Sequence, residues 1–342
     1  MAVSLGLIAE RAKSSTKTVA NVLNPKYRHL YSPTTVARIL AIAEELGYLP
    51  NTSARSLVNR RFGSVGLLLS TSSQTSYLPP GLLSGIEEAL THAGLSLTVA
   101  QVQDERLRDP TRLPRVLTEL MVDGLLVDYH SAIPEVLREQ ISAATRPAVW
   151  LNSDLPTDCV RPDDERAGCD LAIALAKAGH RHVAWLDEAY YHAGALRHYS
   201  KVDRRRGFLS GCKKTRVRVT EIDDQLANPS FLQRIRAVIA SPQRPTAVVA
   251  YGMEYREIID ATACAHLALG RDVIACTFAS QGTAFYGSFP VRAVQIPEKE
   301  CGARAVARLL ERMSGTLASG WKSELIACEI PAIDNLRLPK GI

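Results

Sequence analysis

Thr16, Lys17 and Asn21 are spaced to share one face of a short helix, and their chemistry suits the edges of DNA bases. An asparagine amide can pair bidentately with adenine, a lysine can reach the acceptors of guanine, and a threonine methyl can meet the methyl of thymine. A short helix must hold these groups out while something else buries its other side. Val19, Val22 and Leu23 supply that inner side, and Ser15 stands where it can cap the first turn. Before it, Ser4 can cap a helix carrying Leu5, Ile8, Ala9 and Ala12, with Lys13-Ser14 as the turn between the two. A third helix follows, with Ser32 as cap, Pro33 at the first helical position and Gly47 as its stop. The alternative on periodicity alone is a generic three-helix bundle with a basic surface.

Charge separates this segment from the rest. Residues 1–62 hold nine Lys/Arg against three acids, a balance of +6, and the other 280 residues hold 32 of each. A basic module on a neutral body points to a polyanion partner for the module and a different task for the body. The module ends in Tyr48-Leu49-Pro50-Asn51 and TSARSLVNRR, where Asn51 can cap a helix reaching Val58. A helix that short is marginal alone in water. It makes sense if it folds on DNA and slides Leu57 between base steps in the minor groove. Otherwise it is a linker whose leucine packs on its neighbour.

The 342 residues predict two or three domains. No apolar run is long enough to span a membrane, and the first residues lack a signal core, so a cytoplasmic, nucleoid-associated location is expected. Seven scattered cysteines read as reduced, mostly buried small hydrophobes, and no spacing suggests a metal site or a cofactor. From Ser64, apolar runs such as SVGLLLS, DGLLVDY, PAVWLN, HVAWLD, TAVVAY and DVIACTF alternate with amphipathic helices in two successive series. Continuous apolar strands between helices mean parallel sheets covered on both faces, here two doubly wound lobes with a ligand cleft at the strands' carboxyl ends.

SLGLIAERAKSSTKTVANVLN, then AEELGYLPNTSARSL, then FGSVGLLL resembles, in that order, the lactose-repressor (LacI/GalR) family of bacterial transcription regulators. The resemblance implies an all-α helix-turn-helix headpiece (1–50), a hinge helix and linker (51–62), and an α/β periplasmic-binding-protein-like core. In that core, 63–161 with 293–323 form one lobe and 162–292 with 324–342 the other, and the chain crosses near residues 161, 292 and 323. By resemblance Thr16, Lys17 and Asn21 read bases. Ser15, Thr18, Asn24, Tyr48 and Asn51 contact phosphates or set the headpiece, and Ala54 and Leu57 lie on the hinge helix. A homodimer on a near-palindromic operator is implied, without the tetramer-forming tail of the lactose repressor. Two departures stand out: Lys13-Ser14 replaces the usual Gly-Val of the turn, and the loop NPKYRHLY is about two residues longer than in the lactose repressor and is similar to that of the fructose-responsive members. Lys13 costs strain if its position needs positive φ.

The same resemblance locates an effector site. Arg204, three residues before Gly207-Phe208, matches the family's arginine, and Asn152 replaces a frequent Asp. Three further anchors are changed, to Gly252-Met253, Ala279 and Ile296. An unpaired buried hydroxyl costs about 1–3 kcal/mol, so a free hexose is disfavoured. Arg204 within Asp203-Arg204-Arg205-Arg206 favours an anion such as a sugar phosphate or carboxylate, unless the run is a solvated helix face. Tyr77, Trp150, Tyr190, Tyr191 and Phe278 could line the cleft. The expected function is a repressor controlled by a small effector. The alternatives are a regulator without an effector, a solute-binding receptor, or an enzyme using His180, His182 and Asp187. No Ser/His/Asp set or glycine-rich phosphate loop supports the last.

Overall fold

The computed structural model describes residues 3–25, 27–48, 61–187, 198–223, 230–252, 254–283 and 290–333. The chain forms two compact units, Met1–Phe62 and Gly63–Ile342.

The first unit is built from α1 (Leu5–Arg11), α2 (Thr16–Leu23) and α3 (Pro33–Glu45). Ser4, Ser15 and Ser32 cap them as the sequence suggests, each side chain accepting a backbone N–H three residues on. Ile8, Ala9, Ala12, Val19, Val22, Ile39 and Ala43 form the buried centre. Between α1 and α2, Lys13 takes φ 46°, and the Ser14 N–H reaches back to the Ala9 carbonyl at 2.9 Å. This is a left-handed helix stop in which glycine is favoured and lysine pays a steric cost.

The second unit carries two parallel sheets. In the first, the strand order is β11-β5-β4-β3-β1-β2, from β1 (Ser64–Ser70), β2 (Ser96–Val102), β3 (Gly124–Asp128), β4 (Ala148–Leu151), β5 (Cys159–Pro162) and β11 (Glu324–Ile326). In the second, the order is β10-β9-β8-β6-β7, from β6 (His182–Asp187), β7 (Arg218–Asp223), β8 (Ala247–Ala250), β9 (Ile274–Ser280) and β10 (Val291–Ile296). Alternate residues feed the two faces. Val65, Leu67 and Leu69 pack toward α4 (Pro80–His92) and α12 (Glu298–Ser314). Leu68 packs toward the other face, with α5 (Asp104–Leu107), α6 (Leu113–Glu119) and α7 (Glu135–Ala143). The second sheet lies between α8 (Asp164–Lys177) with α9 (Tyr199–Thr215) and α10 (Phe231–Ala240) with α11 (Tyr255–Cys264).

The chain crosses between lobes slightly later than expected. Asp163 joins β5 to α8, Pro297 joins β10 to α12, and after β11 the residues Cys328, Ile330 and Ile333 pack on the second lobe. Residues 293–296 therefore belong to the second sheet and 324–326 to the first, because each strand stays in register until its ladder ends. Paired glycines set two helix crossings. A Cβ on Gly168 or Gly207 would land inside the backbone of the facing helix, at the Arg204 and Glu165 carbonyls, and Gly85 and Gly302 do the same for α4 and α12.

Candidate functional site

In the first unit, α2 presents Thr16 and Lys17, the two residues directly after the cap, to solvent. Ser15 Oγ accepts the Thr18 N–H at 3.0 Å and lies 2.9 Å from Thr18 Oγ1, so these two hydroxyls organise the helix start. Asn21 is half-buried, and its amide donates to the Tyr31 hydroxyl at 2.9 Å. That bond fixes the amide's rotamer. Asn24 ends α2, its N–H reaching the Asn21 carbonyl at 3.1 Å, and Tyr48 is half-buried against the three-helix core. Arg28 Nε donates to the Val22 carbonyl at 3.1 Å, tying the long loop to the end of α2, while Leu30 at its tip is 62% exposed. Asn51, Ala54 and Leu57 lie outside the described residues.

In the second unit, the cleft at the strand ends is bridged by the chain's own polar side chains. From the first lobe come His130, after β3, and Asn152, after β4. From the second come His198, Tyr199 and Ser200 at the head of α9. The His130 and His198 rings lie 4.4 Å apart between centroids, and His198 lies 4.6 Å from the Tyr199 ring. The Tyr199 hydroxyl donates to Asn152 Oδ1 at 2.8 Å, and Asn152 Nδ2 stands 3.4 Å from His198 Nε2. Asn152 takes φ 49°, a left-handed conformation that asparagine tolerates better than most residues. Arg161, on β5, stacks on the Tyr199 ring at 4.8 Å and pairs with Asp203 at 3.0 Å and Asp154 at 3.3 Å. On the far side of the crossing, Ser280 after the last apolar stretch of β9 donates to Glu298 at the head of α12 at 2.8 Å.

Arg204 sits behind this layer. Its Nε donates to Asp164 Oδ1 at 2.6 Å, with the two side chains 7% and 1% exposed. Its guanidinium also lies 4.9 Å from the Tyr251 ring centroid and 4.7 Å from that of Phe278. Burial works against the Arg204 charge, but Asp164 and the polarisable Tyr251 more than restore it, so it stays cationic. Burial raises the Asp164 carboxyl while Arg204 pulls it down. The histidines are neutral: burial pushes His130 down to about 4 and holds His198 well below its usual value, with His130, Arg204 and Arg161 adding to the effect. Fully buried Asp128, at the end of β3, is raised well above the usual carboxylate range by burial, against a Tyr77 backbone hydrogen bond. Burial also raises Glu298.

The expected effector residues thus divide. Asn152 lies in the cleft layer, whereas Arg204 lies behind it and is already paired with Asp164. Phe278 is a core residue whose ring stacks under Arg204, and Tyr77 is 57% exposed on the first lobe. Trp150 is buried within that lobe. Tyr190, Tyr191 and Met253 lie outside the described residues. Arg205 and Arg206 lie on the solvated face, pairing with Glu221 and with Glu165 and Asp203. The Gly252 N–H donates to Glu254 at 2.6 Å. His182 and Asp187 begin and end the same strand, so they are not brought together, and His180 bonds Thr246 at 2.8 Å. Among the described residues no group of three or more His, Cys, Asp or Glu is placed to hold a metal ion. Sequence reasoning missed His130, His198, Tyr199, Arg161 and Asp164. One signal was available: on α9, Tyr199 with Asp203 and Ser200 with Arg204 repeat at one turn, which marks a polar face built to meet something.

No family model matches the chain. It is 25% identical over 313 residues to the HTH-type transcriptional repressor PurR of Photobacterium profundum, covering 90% of each chain. It is 25% identical over 323 residues to the ribose operon repressor of Escherichia coli (strain K12), covering 90% of this chain and 92% of that one. Its fold matches a crystal structure of the lac repressor dimer bound to operator and the anti-inducer ONPF, with a TM-score of 0.75, 19% identity and coverage of 98% and 99%. In sequence and in fold, each over nine-tenths of the chain or more, this protein is similar to repressors of the LacI/GalR kind.

Proposed function

We propose that the chain is a sequence-specific DNA-binding transcriptional repressor, acting as a homodimer on a near-palindromic operator. The observation that carries this reading is α2: a capped helix whose outer face offers Thr16 and Lys17, on a unit of net charge +6. Thr16 and Lys17 read base edges in the major groove, with Asn21, steered by Tyr31, as the third reader. Ser15, Thr18, Asn24, Tyr48 and Asn51 hold the phosphates or the headpiece frame. Two Leu57 side chains wedge the central step and kink the DNA, with Ala54 on the same hinge helix. The cleft of the second unit is the control site, since the two lobes meet there through chains of polar contacts that a ligand could exchange.

An anionic metabolite suits Arg204 and Arg161 if it takes the places of Asp164 and Asp203. A screen of sugar phosphates, carboxylates and free hexoses for a rise in melting temperature tests that class, and a hexose as the sole hit contradicts it. DNA binding is tested by titrating the full chain onto upstream duplex from its own gene neighbourhood at several salt concentrations. The expected result is tight binding that weakens steeply with salt, as phosphate contacts require, in a complex of two chains per site. Equal, salt-steep affinity for every duplex would leave a nonspecific polyanion binder. Leu57→Ala with unaltered operator affinity would remove the wedge.

A further inference from the structure

We propose that the cleft is held shut by the chain's own side chains, with His198 and Tyr199 standing between the lobes where a bridging small molecule would otherwise stand, so that the closed orientation is the resting state of the ligand-free protein. The proposal rests on reading this cleft as the control site.

Four contacts from separate elements carry it. His130 of the first lobe stacks with His198 of the second at 4.4 Å. Asn152 of the first accepts from the Tyr199 hydroxyl of the second at 2.8 Å. Arg161 on β5 holds Asp203 on α9 at 3.0 Å. Glu298 on α12 accepts from Ser280 on β9 at 2.8 Å. His198 is fixed from behind: its Nδ1 accepts the Ser200 N–H at 3.1 Å and lies 2.7 Å from Ser200 Oγ, which lies 2.8 Å from the Tyr251 hydroxyl. An Nδ1 that accepts the Ser200 N–H carries no proton, so the ring is neutral, and two neutral rings can stack where two cations would repel. The groups are part-buried or buried, so opening the lobes would expose several partners at once.

The consequence is regulatory. A small molecule entering the cleft must first displace His198 and Tyr199, and its apparent affinity falls by the fraction of molecules that are open.

The test is hydrogen exchange on the full chain, with no DNA and no added metabolite, alongside native mass spectrometry. The expected result is a ligand-free mass and slow exchange at residues 130–132, 152–155 and 198–201. Tyr199→Phe, which deletes the hydroxyl on Asn152, and His130→Ala, which deletes the stack, each speed exchange there by about fivefold, the effect of losing one ordinary contact, while amides of β3 and β8 keep their rates. Unprotected cleft amides in the wild type, no change in either variant, or a small molecule bound as purified would overturn the proposal. None of these outcomes involves DNA, so they leave the repressor reading to its own experiment.

Discussion

Arg204 and Asp164 are a buried ion pair whose partners cannot be removed singly without cost. Replacing the arginine leaves Asp164, 1% exposed, with an uncompensated charge. Arg204→Ala is expected to lower stability by about 3–5 kcal/mol, read as a shift of the urea midpoint. A change within experimental error would mean that Asp164 takes up a proton without penalty. Lys13 is the opposite case. At φ 46° it occupies a position that favours glycine, so Lys13→Gly is expected to stabilise the headpiece by about 0.5–1 kcal/mol, part of the steric relief being offset by the freer unfolded chain. Slower exchange of α1 and α2 amides reads this. Faster exchange would show that the lysine side chain holds the turn. The sequence made the strain at Lys13 legible, because a lysine stood where the resembled family has glycine. It did not make the Arg204 partner legible: Asp164 is forty residues away and is brought near by packing alone.

At the scale of elements, α8 and α9 touch at backbone distance because Gly168 and Gly207 carry no Cβ. That crossing brings the α9 face with Arg204 onto Asp164 at the head of α8. Gly207→Ala puts a methyl against the Glu165 carbonyl and is expected to cost about 3 kcal/mol by denaturant melting, with the interlobe contacts loosened as well. An unaltered midpoint would mean that the two helices can separate freely. Most strands and helices were legible from alternating apolar runs and caps. The strands β5, β10 and β11 were not, since they lie beside the crossings, where β5 and β11 pair over only a few residues and no apolar period develops. The buried face of α9 was not legible either. Its Tyr199, Ser200, Lys201, Asp203 and Arg204 are buried although their types suggest a solvated face, so composition hid a face that meets the other lobe.

For the whole molecule, the two lobes make a cleft whose histidines give it a sign with pH. His130 is pushed down to about 4 and His198 lies well below 6.5, so both bind protons more weakly in the folded state. Their contribution is complete above about pH 6.5 and is lost as pH falls toward 4. Around them stand the cations Arg161 and Arg204, the carboxylates Asp154, Asp164 and Asp203, and the hydroxyls of Tyr199 and Tyr251. Buried Asp128 and Glu298 work in the other direction, because raised carboxyls gain from acid. The difference between wild type and His130→Ala cancels those terms. Wild type is expected to lose stability relative to that variant by up to about 3 kcal/mol between pH 7 and 4, and parallel curves would contradict it.

In the proposed repressor, the first unit reads DNA sequence through α2. The most direct measurement is selection of duplexes from a random pool by the full chain at physiological salt, repeated with Thr16→Ala and Lys17→Ala. One near-palindromic site is expected to be enriched, with relaxed preference at defined base positions in each variant and loss of about 1–3 kcal/mol on the wild-type site. Failure to enrich any sequence, or enrichment of the same site with the same affinity by all three proteins, would contradict it.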